Sequence, residues 1–274
     1  MTDLLGLLAV ELGEIYTLER QLGRGSMATV VLGKERRTGR SVAIKVLHPE
    51  FALTVGPDRF QREIRFLASL AHPHILPILD YATSGSLLYY VMRFAEGGSL
   101  EQRLSASGRF QVAEAIDVTR QVASAIDHAH SRNIVHRDIK PGNILFDQGR
   151  AMVCDFGVAR ALVATDDVTI SSSGLIVGTP AYASPEQARG SSEVDGRTDV
   201  YALACVLYEM LSGEPVFTGS TPQAILARHM NDQPRSLRLV VPEVPESVER
   251  AILAALSKRP QERPGTAGEF AALL

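Results

Sequence analysis

Up to about Tyr90 the chain alternates short β-branched runs with glycine-bearing turns. Ile15-Tyr16-Thr17-Leu18, Thr29-Val30-Val31-Leu32 and Ser41-Val42-Ala43-Ile44-Lys45-Val46-Leu47 are separated by Gly23-Arg24-Gly25 and by Arg37-Thr38-Gly39-Arg40. That pattern predicts an antiparallel meander. One stretch breaks it. After Pro57-Asp58, a favourable helix start, Phe60, Ile64, Leu67, Ala68 and Ala71 recur at helical spacing. Beyond about residue 110 the period turns helical throughout. Val112, Ala115, Ile116, Thr119, Val122, Ala123 and Ile126 mark a long amphipathic helix, and Ser247–Leu256 marks another. Between them Val200–Leu211 is apolar nearly all round, which predicts a buried helix. No internal repeat is visible. The expected class is α+β: an N-terminal extension (1–14), a small β-rich lobe (15–92), a linker (93–98) and a larger helical lobe (99–274).

Composition narrows the function classes. With 28 basic against 31 acidic side chains, the chain lacks the basic footprint of an electrostatic nucleic-acid binder. The run Leu4–Val10 is far shorter than the ~20 apolar residues of a spanning helix, and Asp3 rather than a positive charge precedes it. Val200–Leu211 is also short and carries Glu209. Cys154 and Cys205 each sit in an apolar stretch and read as buried thiols in a reducing compartment. A cytoplasmic chain with no membrane segment and no nucleic-acid partner is expected.

Three places carry candidate chemistry. In Leu22-Gly23-Arg24-Gly25-Ser26-Met27-Ala28-Thr29-Val30, two glycines let backbone approach a ligand closely and offer N–H groups to phosphate. Alone, this pattern is more often a plain hairpin turn. Lys45 is sharper, because strand alternation points it to the apolar face of Ala43 and Leu47, where an ammonium needs an anionic partner. Glu63, on or beside the apolar stripe of the first helix, is a candidate partner. A snorkelling lysine and an exposed glutamate fit those two residues equally well.

The third place is Ile134-Val135-His136-Arg137-Asp138-Ile139-Lys140-Pro141-Gly142-Asn143-Ile144-Leu145-Phe146, a polar loop between short apolar strands. The turn Asp147-Gln148-Gly149-Arg150 then leads to Ala151-Met152-Val153-Cys154 and Asp155-Phe156-Gly157. If Asp147 pairs with Arg150, the register sets Asn143 almost opposite Asp155. An amide oxygen and a carboxylate there are hard ligands suited to Mg2+. Asp138 can accept a hydroxyl proton, and Lys140 can stabilise charge on a transferred group.

Taken in order, the glycine-rich loop, Val42-Ala43-Ile44-Lys45, Glu63, His136-Arg137-Asp138, Asn143, Asp155-Phe156-Gly157 and Ser184-Pro185-Glu186 resemble the protein kinase superfamily from roughly Tyr16 to Leu273. The resemblance implies a bilobal kinase fold, ATP with Mg2+ (or Mn2+), and transfer of the γ-phosphoryl group to protein Ser/Thr hydroxyls. It implies that Lys45 holds the α/β-phosphates and pairs with Glu63, that Asp138 orients the substrate hydroxyl, and that Asn143 and Asp155 bind the metal. Residues Leu22 to Ala28 would cover the phosphates. Val30, Ala43 and Leu145 would sandwich adenine, with Met92 before the hinge and Arg93 and Ala95 offering backbone groups. Lys140 and Gly178-Thr179 follow the Ser/Thr pattern. Thr179, Asp199, Glu186 and Arg263 are implied to be structural, the last two as an ion pair.

Ser184–Gly190 and Lys258–Pro264 are similar to the bacterial, eukaryotic-like (Hanks-type) branch, whose members often join such a domain to a membrane helix and a sensor. The chain therefore reads as the cytoplasmic catalytic domain of a longer kinase. Ala28 stands where the third loop glycine is usual, and Ser184 replaces the usual Ala; neither removes a catalytic group. Between Asp155 and Glu186 lie about thirty residues with little periodicity, a length that is usually functional. Arg137 is the kind of residue that pairs with a loop phosphate, so autophosphorylation is expected between Thr165 and Ser173, at Thr165, Thr169, Ser171 or Ser173, with Ser172 a further hydroxyl of that loop and a homodimer for reaction in trans carried as a partner. A nucleotide-binding pseudokinase and a small-molecule phosphotransferase are the alternatives. Against the first, Lys45, Asp138 and Asp155 are all present; against the second, the extended loop ends in Pro185-Glu186.

Overall fold

A computed structural model describes residues 4–25, 27–84, 87–156 and 179–274, which form two units. In the first unit, strands β1 (Tyr16–Arg24), β2 (Ala28–Glu35), β3 (Ser41–Leu47), β4 (Ile78–Ser84) and β5 (Leu87–Arg93) form one antiparallel sheet in the order β1-β2-β3-β5-β4. Register decides which residues share a face. Val31, Ile44 and Val91 lie in one row across β2, β3 and β5. With Val42, Val46, Leu87 and Tyr89 they form a buried cluster, into which helix α1 (Leu4–Leu12) sets Leu8 and Leu12, 0% and 1% exposed. A helix of nine residues is marginal in isolation, so α1 owes its stability to this packing. Each fully buried leucine contributes about 1.5–3 kcal/mol.

The opposite face carries the rows Val30–Lys45–Tyr90 and Leu32–Ala43–Met92. Helices α2 (Pro49–Val55) and α3 (Pro57–Ala68) follow β3, and α3 packs on β4 and β5 while burying Phe60, Ile64 and Leu67. The helical spacing extended to Ala71, but the helix ends at Ala68. Gly56 joins α2 to α3 at φ 75, a backbone state that a side chain would strain, and Pro57 occupies the first position of α3.

The second unit contains His72–Ile75 and the described residues beyond Ala95. Helices α4 (Leu100–Ser107), α5 (Val112–His130), α6 (Pro185–Ala188), α7 (Arg197–Ser212), α8 (Pro222–Asn231), α9 (Glu246–Ala255) and α10 (Ala267–Ala272) accompany a ribbon of β6 (Ile144–Asp147) and β7 (Arg150–Val153), on which α4 and α5 pack. Helix α7 is buried on nearly every side, as its apolar circumference predicts, and Gly213 ends it in a left-handed cap. Segment 72–75 docks on the ribbon: Val153 N–H donates to His74 O at 2.8 Å, and the His74 ring meets Ala151 O at 2.9 Å. Asp147 pairs with Arg150, and the turn residues Gln148 and Gly149 have φ 49 and 79, the paired positive values of a tight hairpin. Among the described residues no helix is long and apolar enough to cross a membrane.

Candidate active site

In the first unit the sheet gathers several of the predicted residues. Lys45 lies directly between Val30 and Tyr90, half-buried, with its ammonium 5.9 Å from the Tyr90 ring centroid. Ala43 pairs with Met92 one row away, and β5 ends at Arg93, shortly before the buried Ala95. Glu63 is half-buried on α3 and makes no hydrogen bond or ion pair among the described residues. Leu22 falls where the β1–β2 register slips, and Gly23 and Arg24 resume pairing with Val30 and Thr29. Met27 and Ala28 lead into β2, while Ser26 lies outside the described residues.

The two loop glycines are not demanded by the protein itself. Among the described residues, a Cβ at Gly23 would meet nothing within 4 Å, and one at Gly25 only Ala28 O at 3.7 Å. Neither has a positive φ. Space left clear on a backbone that any residue could adopt fits close approach by a ligand such as a triphosphate.

In the second unit the loop from His136 to Asn143 is held from beneath by Asp199 on α7. Its carboxylate is fully buried and accepts the N–H of His136 at 2.8 Å, the N–H of Arg137 at 2.7 Å and Nε2–H of His130 at 2.8 Å. Two charge-assisted bonds to backbone explain how Arg137 persists at φ 67, where a non-glycine residue is strained. Gln187 on α6 adds a third brace, donating Nε2–H to Arg137 O at 2.8 Å. Its own Oε1 accepts from Thr198 and from the Ser184 backbone.

Asp138, Lys140, Asn143 and Thr179 converge on this frame. Asn143 Nδ2 donates to Asp138 O at 2.8 Å and to Asp138 Oδ2 at 3.0 Å. Lys140 Nζ lies 2.7 Å from the same Oδ2 and 3.1 Å from Thr179 Oγ1. Because the Asn143 nitrogen is committed to Asp138, its amide oxygen is the atom left to ligate a cation. Cys154 N–H donates to Asn143 O at 3.0 Å, which ties the base of the ribbon next to Asp155. Asp155 itself has φ 63, a second strained non-glycine residue in the same place. A carboxylate and an amide oxygen are an appropriate donor set for Mg2+. His136 fixes the step between them: Nδ1 accepts the Asp138 N–H at 3.2 Å and Nε2–H donates to Cys154 O at 2.9 Å. Those two bonds use one ring nitrogen as acceptor and the other as donor, and the ring packs tilted against Phe156 with 4.7 Å between centroids.

Glu186 and Arg263 form a bidentate pair, both contacts at 2.8 Å, with Arg263 also donating to the carbonyls of Ser257 and Arg197. Burial pushes the Glu186 carboxyl up, but the guanidinium fork outweighs it and holds the group below the usual carboxylate range. Leu145 lies on β6, bridged to Ser99, where Gly97 N–H donates to Phe146 O at 2.8 Å. Sequence reading missed His130, Gln187 and Thr198. Each acts across a separation of 11 to 69 residues, and none has a local period that would betray it. Gly157, Thr165, Thr169, Ser171, Ser172, Ser173 and Gly178 lie outside the described residues.

Comparisons with known proteins agree with this geometry. The family model "Protein kinase domain" matches residues 16–271. The chain is 40% identical over 259 residues to serine/threonine-protein kinase PrkC of Bacillus subtilis, covering 94% of this chain and 39% of that protein. It is 38% identical over 269 residues to serine/threonine-protein kinase PknB of Mycolicibacterium smegmatis, covering 95% and 42%. It thus spans about two fifths of the length of these relatives. Among solved structures it is similar to Rad53 residues 1–466 in complex with AMP-PNP, with a TM-score of 0.80, 27% identity, and coverage of 95% of this chain and 65% of that one. With a match that takes in all but the chain's ends, the chain belongs to the protein kinase domain family.

Proposed function

We propose that this chain is a Ser/Thr protein kinase that transfers the γ-phosphoryl group of ATP to serine or threonine hydroxyls of proteins. The observation that carries the reading is the Asp138 cluster. Among the described residues Asn143 and Lys140 both meet Oδ2, which leaves Oδ1 to accept the proton of an incoming hydroxyl. The hydroxyl oxygen forms the new bond to the γ-phosphorus, the bond from that phosphorus to the β,γ-bridging oxygen breaks, and ADP departs. Lys140 Nζ, held by Asp138 and Thr179, is suited to neutralise charge on the group in transit. Bound through Asn143 and Asp155, Mg2+ would neutralise the phosphates. Lys45 would hold the α/β-phosphates, Leu22 to Ala28 would cover them, and Val30, Ala43, Met92, Arg93, Ala95 and Leu145 would receive adenine. Glu63 would join Lys45 when nucleotide is bound.

Removing Asp138 tests the assignment. With radiolabelled ATP and a protein acceptor, Asp138→Asn is expected to lose about 10²–10⁴ in kcat, as for a positioned acid–base group, and Lys45→Met to fall similarly. Asp138→Asn activity near wild type would overturn the role. Label appearing on a small molecule instead of protein would favour the phosphotransferase reading, and ATP binding with no transfer would favour the pseudokinase.

Activation-loop autophosphorylation belongs to the same proposal. Arg137 Nε is buried with no hydrogen-bond partner among the described residues, and only Nη2 reaches Val194 O at 3.4 Å, so a guanidinium stands ready for an anion. Incubation with Mg2+-ATP should raise the intact mass in steps of about 80 Da, one phosphate each, at sites among Thr165, Thr169, Ser171 and Ser173. A rate that rises with protein concentration would mark reaction in trans between two copies. ATP chemistry and two buried cysteines outside any disulfide fit a cytoplasmic setting.

A further inference from the structure

The hairpin between β1 and β2 is closed at its tip by Gly25 N–H donating to Ala28 O at 2.9 Å. A residue from outside the hairpin also reaches it. His48, between β3 and α2, donates its backbone N–H to Met27 O at 2.8 Å, and its ring Nε2 lies 3.1 Å from Thr29 Oγ1. Thr29 is 2% exposed, and strand alternation places it on the face opposite Val30 and Lys45. The tether therefore grips the hairpin from behind the face that carries Lys45.

The local sequence explains why the ring points there. Pro49 at the first helical position keeps His48 extended, at φ −65 and ψ 144. His48 occupies the cap position of α2 and its carbonyl accepts Ala52 N–H at 2.8 Å, yet its side chain makes no capping bond. The imidazole reaches Thr29.

We infer that His48 is a positioning residue for nucleotide: through Met27 and Thr29 it holds the glycine-rich hairpin in its ligand-ready shape. This rests on the reading of that hairpin as the phosphate cover. An untethered hairpin samples more conformations, and the ordering cost then falls on ATP binding. The chemical step, carried by Asp138 and its neighbours in the second unit, does not use the tether.

Steady-state kinetics of the full chain, with ATP varied against a fixed protein acceptor, tests this alongside direct ATP titration. His48→Ala should raise KM for ATP roughly fivefold, the size of one neutral hydrogen bond, with kcat within about twofold. Thr29→Val should match it, the double variant should be no worse than either, and His48→Gln, whose amide can still reach Thr29, should recover most of the loss. Unchanged KM in both single variants, or fold-changes that multiply in the double variant, would overturn the inference. So would a fall confined to kcat and melting temperature, which is what a purely structural histidine gives. A wild-type chain that binds no ATP would overturn the phosphate-cover reading itself, and this inference with it.

Discussion

The glycine-rich hairpin of the first unit and the catalytic loop of the second are both short connections at the heart of the proposed chemistry, and they are held in opposite ways. Four consecutive features of the proposed catalytic loop are fastened, three of them to other elements. The amides of His136 and Arg137 go to Asp199, the Arg137 carbonyl to Gln187, and the Asp138 amide to His136. Among the described residues the hairpin tip has one closing bond and the His48 tether, and its glycines touch little. Groups that must meet a developing charge gain from rigid placement before the reaction begins. A cover that admits and releases nucleotide gains from few contacts, since every fastening would have to break on opening.

The largest effect that would break this contrast is expected at Asp199. Asp199→Ala strands two backbone amides and His130, and the loss should be about 3–5 kcal/mol, comparable with unpairing a buried charge network. Urea unfolding measures it, and kcat should fall more than KM for ATP rises. A variant with normal kcat would mean that the loop keeps its shape without its buried anchor.

How much of this frame could be read beforehand follows from where its signals lie. The β6–β7 register was legible because Gln148-Gly149 is a turn signal flanked by alternating apolar residues, and the observed Asp147–Arg150 pair places Asn143 as expected. Lys45 was legible from alternation alone, and α7 from its apolar circumference. Asp138, Asn143 and Asp155 stood out as polar groups between apolar strands. The anchor itself was not legible from pattern: Asp199 sits in a helix whose period says only that it is buried, and its partners are more than 60 residues away. Nor was α1, because a leucine-rich run of nine residues becomes a helix only by landing on a sheet whose strands lie further along the chain. Resemblance supplied the role of Asp199; geometry supplied the reason for it.

A second, smaller effect distinguishes the units by acid. His229 on α8 is fully buried, its Nδ1 takes the Tyr201 hydroxyl at 2.9 Å, and burial beside Lys258 pushes its pKa down to about 4. The folded state therefore refuses a proton that the unfolded chain accepts from pH ~6.5 downward. Stability is lost as pH falls from there to about 4, by at most about 3 kcal/mol. Glu209 works against this, since burial raises its carboxyl and acidification then relieves a cost, so the wild-type slope alone is ambiguous. The difference between wild type and His229→Phe isolates the histidine. Denaturant melts at pH 7 and pH 4.5 should show the variant losing less than wild type; equal losses would mean that His229 accepts the proton while folded.

Glycine substitutions sharpen the comparison at the scale of single methyl groups. A Cβ at Gly97 would fall 2.6 Å from Phe146 O and 2.8 Å from Phe146 Cβ, where the backbones of 97–98 and β6 exchange hydrogen bonds. Gly97→Ala must push them apart and should cost about 1–3 kcal/mol, as overpacking does, visible as a lower melting temperature.

The smallest effect on stability is expected at the hairpin, and it is the most diagnostic. Gly23→Ala and Gly25→Ala introduce a methyl group into open space on a backbone that tolerates it, so folding should change by under about 0.5 kcal/mol. Relief of glycine's excess freedom in the unfolded chain would even favour the variants. If the space exists for phosphate oxygens, the same methyl group must instead obstruct ligand, and KM for ATP should rise while the melting temperature holds. Nucleotide titration beside thermal melting reads both quantities on the same sample. Should either variant lose stability with ATP affinity intact, the glycines would be serving the fold, and the hairpin would be an ordinary turn.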